Sequence, residues 1–68
     1  MKEKFLEYDV IQSKSRLHVD VPAKTIGTIL MVFSLEGLAE YEVEFVDANG
    51  EALAVVTVSE NDLEWVVV

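Results

Sequence analysis

Glutamates at 40, 42 and 44 alternate with Tyr41, Val43 and Phe45, and after Val46, Asp47 and Ala48 the dipeptide Asn49-Gly50 ends the run. Alternation at period two puts the glutamates on one side of an extended chain and the aromatic and branched residues on the other, as a half-buried strand requires. Asn-Gly is the favoured centre of a two-residue type I′ hairpin, because both central residues need positive φ. Residues 52–58 are then the returning strand. With Ala48 opposite Glu51, counting outward pairs Phe45 with Ala54, Val43 with Val56 and Tyr41 with Val58, so one face is wholly apolar. The other face pairs Glu42 with Thr57, Glu44 with Val55 and Val46 with Leu53. Apolar side chains therefore collect near the hairpin tip on the nominally exposed side.

Upstream, residues 27–33 are rich in β-branched and aromatic types and follow a turn-forming stretch at 22–25, which predicts a third strand. Both of its faces are apolar, Ile29, Met31 and Phe33 against Leu30 and Val32, as suits a central or covered strand. Residues 34–38, with Gly37, make the connection to the alternating strand. Residues 8–11 read as a short first strand, and residues 12–22 as a long loop with an extended piece at 17–21 that Pro22 keeps at a sheet edge. Ser59 is the N-cap of a single helical turn, with Asp62 as its acidic third residue, and residues 63–68 form a short last strand. Five short strands, a long first loop, tight middle connections and one helical turn before the last strand predict an all-β fold. Its expected form is a single small SH3-like five-stranded barrel over residues 1–68.

At 68 residues, only about 60% of the unfolded chain's surface can be buried. A core of that size supplies roughly 3–5 kcal/mol and is commonly reinforced by disulfides, a metal or a partner. The chain has no cysteine, which removes disulfides and thiolate zinc sites and leaves association. Because 51% of the residues are hydrophobic, apolar surface should be left over to drive it. The apolar runs at 29–33 and 65–68 fall far short of the roughly 20 residues that span a bilayer, so no membrane insertion is expected. Residues 1–9 mix Lys2 and Lys4 with Glu3, Glu7 and Asp9 and carry no apolar signal core, so a cytoplasmic location is expected.

The net charge is −8, and every basic residue (Lys2, Lys4, Lys14, Arg16, Lys24) lies in the first 24 positions, followed by nine acids and no base. Most of the chain can offer no cation to a phosphate, which argues against nucleic acid. A basic protein suits this balance better, with Glu40, Glu42 and Glu44 as the candidate contact. The plainer reading is that acidity keeps a small apolar barrel soluble.

The string Tyr41-Glu42-Val43-Glu44-Phe45-Val46-Asp47, followed by Gly50-Glu51, together with Tyr8-Asp9-Val10-Ile11 and Gly27-Thr28-Ile29, resembles a family of short bacterial proteins classified as a domain of unknown function. The likeness runs from about Tyr8 to Leu63. It implies an SH3-like barrel, a bacterial and often mobile or accessory gene, and no catalytic residues to carry over. Family members often sit beside a second small gene, which implies an antitoxin-like or immunity-like pairing. This chain departs from the pattern at Lys24, where many members have glycine three residues before Gly27-Thr28.

Few groups could carry chemistry. His18 is the one histidine, and with Asp20 or Asp9 and Ser13 or Ser15 it can be drawn as a Ser-His-Asp set. Such residue types meet easily by chance, so no enzyme is expected. Alternate residues on a strand face lie about 6–7 Å apart, so Glu40, Glu42 and Glu44 make a solvated row rather than a ligand cage, and neither metal nor cofactor is expected. Among the six aromatics, Phe33, Tyr41 and Phe45 suit the core, leaving Tyr8 and Trp65 for a groove or a subunit contact. The composite expectation is a non-catalytic module that self-associates through Val46, Leu53, Val55, Trp65 and Val67. The alternative is the neutralising half of a two-gene pair.

Overall fold

The computed structural model describes residues 4–66. The strands are β1 (Val10–Ser13), β2 (Ile26–Leu35), β3 (Leu38–Val46), β4 (Ala52–Ser59) and β5 (Leu63–Trp65), with a 3-10 turn at Glu60–Asp62 between the last two. Neighbours are antiparallel, in the order β4-β3-β2-β1-β5. Among the described residues β4 and β5 are free edges, so the hydrogen-bonded ladder stays open where the sequence predicts closure into a barrel.

The β3–β4 register matches the expected one at Tyr41–Val58, Glu42–Thr57, Val43–Val56, Glu44–Val55 and Phe45–Ala54, but Val46 pairs with Ala52. Two irregularities cancel. The loop holds three residues, closed by Asp47 N–H to Glu51 O at 2.9 Å and Gly50 N–H to Asp47 O at 3.0 Å, with Gly50 at φ +83°. That is a type I turn ending in a left-handed glycine, not the expected type I′ turn. Asp47 Oδ1 accepts the N–H groups of Asn49 and Glu51 and makes an Asx turn of it. The extra loop residue shifts the register by one, and a bulge at Leu53 shifts it back. The type I′ turn occurs at Glu36-Gly37, both at positive φ (52° and 81°), with Leu35 opposite Leu38.

A second bulge, at Leu30, interrupts the β2–β3 ladder between Ile29–Val43 and Met31–Glu42. It places Ile29 and Val32 on the core side and turns Met31 and Phe33 to the outer side, so the expected grouping of Ile29, Met31 and Phe33 on one face does not hold. The extended piece expected at 17–21 is a tight turn, with Val21 N–H to His18 O at 2.9 Å and Leu17 N–H to Val21 O at 3.0 Å. The single helical turn is as expected: Asp62 Oδ2 accepts both the N–H and the hydroxyl of Ser59, at 2.9 and 3.2 Å.

Ile11, Val21, Ile29, Tyr41, Val43, Phe45, Val58 and Leu63 fill the core. Its third fully buried aromatic is Phe5 rather than the expected Phe33, which is half-buried. Phe5 stands edge-on to Tyr41 and to Trp65, with centroids 5.6 and 4.8 Å away. Gly27 lies where β2 is sandwiched between β1 and β3, and a Cβ there would sit 2.6 Å from Val43 Cγ1 and 2.8 Å from Phe45 Cδ1.

Candidate functional site

The outer side of β2, β3 and β4 is a single striped surface. Glu40, Glu42 and Glu44 point outward from β3 because their odd-numbered neighbours Tyr41, Val43 and Phe45 fill the core. On one flank the paired residues of β2 are Phe33, Met31 and Thr28; on the other those of β4 are Ser59, Thr57 and Val55. Directly opposed residues share a face, so the acidic row runs between a mainly apolar flank, Met31 and Phe33 with Val10 beyond them beside Thr28, and a mixed one in which Val55 follows the hydroxyl residues Ser59 and Thr57. Among the described residues no ion pair reaches Glu40, Glu42 or Glu44. The acidic contact and part of the apolar contact, separate readings in the sequence, thus share one side of the sheet.

The five apolar candidates divide. Val55 is exposed on the outer face, beside Glu44. Val46 and Leu53 do not pair across the strands as expected; the bulge makes them neighbouring walls of a hollow of about 440 Å³, closed on its far side by Pro22, Ala23 and Ile26. Trp65 is on the other edge strand, opposite the core residue Ile11, and leans on Phe5 while staying half-exposed. It is therefore not contiguous with Val55 along the sheet. Val67 lies outside the described residues. Sequence reasoning passed over Met31, Phe33 and Val10 as outer-face residues, because in a strand apolar on both faces no pattern marks the bulge that assigns them.

The long first loop, residues 14–25, is pinned at its base from within. Ser13 is buried; its hydroxyl donates to Pro22 O at 2.9 Å and accepts the Thr25 N–H at 3.1 Å, while Thr25 Oγ1 donates to Pro22 O at 2.6 Å. Ser13 is thereby engaged away from His18, which is exposed in the turn and whose Nδ1 accepts the Asp20 N–H at 3.1 Å. The drawn Ser13-His18-Asp20 arrangement does not assemble. Among the described residues no group of three or more His, Asp or Glu is placed to hold a metal ion.

Lys24 takes φ +67°, the left-handed region glycine favours. Its Nζ meets Glu64 Oε2, which also accepts Gln12 Nε2 at 2.6 Å. The Lys24 hydrogen bond, then that of Gln12, holds the Glu64 carboxyl below its ordinary value. A second groove, of about 570 Å³, runs between the turn Leu6, Glu7, Tyr8 and the end of β2 at Val32 and Ser34. Tyr8 occupies left-handed backbone at φ +70° there and is 76% exposed, a groove-side position consistent with its expected place outside the core.

No helix among the described residues is long and apolar enough to cross a membrane. Neither a curated protein nor a solved structure matches the chain. A family model does match, over residues 7–65, which contains the whole stretch from Tyr8 to Leu63 that carries the resemblance. The chain belongs to the family described as Domain of unknown function (DUF4926).

Proposed function

We propose that the chain is a non-catalytic protein-interaction module of SH3-like topology that self-associates, at work in the bacterial cytoplasm. The strand order β4-β3-β2-β1-β5, the long loop after β1 and the 3-10 turn before β5 support the SH3-like reading. The observation that carries self-association is β4: among the described residues a free edge, eight residues long without one charged side chain, bearing exposed Leu53 and Val55, in a chain of net charge −8. Soluble proteins usually blunt such an edge with lysine, proline or a cover. Among the described residues only the bulge at Leu53 does so.

The test is the solution mass of the Leu53→Glu/Val55→Glu double variant beside the parent chain. A parent heavier than one chain that the two charges reduce to a monomer supports the reading; an assembly unmoved by both changes overturns it.

A second reading, the neutralising half of a two-gene pair, is favoured by one specific arrangement, the glutamate row beside the apolar flank of Met31 and Phe33, which no ion pair reaches among the described residues. A basic segment with one apolar side would match it in charge and in pattern. Binding of a basic partner should then weaken steeply with salt and with Glu42→Lys; binding indifferent to both would exclude it.

A further inference from the structure

We propose that β4 pairs antiparallel with β4 of a second copy about a twofold axis at Val56, joining two five-stranded sheets edge to edge. The proposal rests on the self-association reading and specifies its geometry. Of the two edges free among the described residues, β5 is three residues long and carries Glu64, whereas β4 offers eight residues with neither charge nor proline. Backbone N–H and C=O groups on such an edge are an open template for another strand.

The occupant is a second copy because the charge pattern is compatible with this chain's own edge and with little else of its surface. Packing two outer faces together would bring Glu40, Glu42 and Glu44 against their own copies with no cation on β2, β3 or β4 to offset them. In edge pairing the two β3 strands are separated by both β4 strands. Three inter-strand gaps put the acidic rows about 14 Å apart, beyond the roughly 8 Å over which charges are felt at physiological salt.

Register follows from side-chain parity. A twofold axis normal to the sheet keeps outer residues outer in both copies, so each faces a residue of its own parity. The bulge at Leu53 twists the start of β4 and leaves residues 54–58 as the regular part. Centring that part sets Val56 opposite itself, Val55 opposite Thr57 and Ala54 opposite Val58, with no charge on either side.

Two measurements on the intact chain test this. Amide hydrogen exchange is followed across the concentration range in which the solution mass doubles; the β4 amides should slow at least tenfold with assembly while those of β5 keep their rate. A nitroxide on Thr57→Cys, unambiguous in a cysteine-free chain, should lie about 8 Å from its copy and broaden strongly, whereas one on Met31→Cys, about 24 Å from its copy, should not. A dimer whose β4 amides exchange unchanged, or whose Met31 label broadens, would overturn the edge geometry while leaving self-association standing. A parent chain that stays monomeric would remove both.

Discussion

Tyr41 donates its hydroxyl hydrogen to Glu60 Oε2 at 3.0 Å, and the same carboxylate oxygen accepts the Lys4 backbone N–H at 3.2 Å. The Tyr41 oxygen in turn accepts the buried Phe5 N–H at 3.3 Å. A core residue of β3 thereby fastens the segment before β1, whose Phe5 ring completes the core. Tyr41→Phe keeps the ring but leaves the Phe5 N–H without its partner, so it should destabilise the chain by about 1–2 kcal/mol in urea unfolding.

The same hydroxyl makes a pH prediction. Burial, chiefly, raises the Tyr41 phenol above its ordinary value of 10.0. A raised value stabilises the fold fully below about pH 10 and is lost as pH climbs through the folded value. Alkaline unfolding should therefore set in at lower pH for the parent than for Tyr41→Phe, once the two are matched in stability at pH 7. Glu64 acts with the opposite sign: its depressed carboxyl stabilises above the ordinary glutamate value, and this is lost as pH falls through the lower folded value. Lys24→Ala should flatten that acid limb.

Gly27 is constrained by contact rather than by φ. A methyl group there would meet Val43 and Phe45 side chains at 2.6 and 2.8 Å and the Glu44 carbonyl at 3.1 Å. Gly27→Ala should cost about 1–3 kcal/mol by overpacking, read as a lower melting temperature.

The hairpins give a paired prediction. Glu36 sits at positive φ in the type I′ turn and Asn49 does not in its own turn. Glu36→Asn should stabilise by roughly 0.5–1 kcal/mol, and Asn49→Ala should change stability by less than about 0.5 kcal/mol. Equal effects in thermal unfolding would contradict the turn assignment.

Much of the fold was legible because the strongest signals were local. The Glu40-to-Phe45 alternation fixed which side of β3 is buried, and Ser59 with Asp62 marked the 3-10 turn. Asn49-Gly50 located a turn but not its type, since Asp47 supplies an Asx turn that competes with type I′. Phe5 was missed because its burial depends on Tyr41, Glu60 and Trp65, all distant in sequence. The striped surface was half legible: the glutamates announce their face, but Met31 and Phe33 join it through a bulge that a doubly apolar strand does not betray. Lys24, read as a departure from the resembled pattern's glycine, takes positive φ, a conformation that a lysine in the sequence does not announce.

The central claim, self-association, is met most directly by light scattering of the parent chain after size exclusion, over a wide range of concentration and salt. The account predicts a mass twice the 7.6 kDa of one chain, holding or strengthening as salt rises, because the contact is apolar and the surrounding charge repulsive. A mass of one chain at every concentration would contradict it.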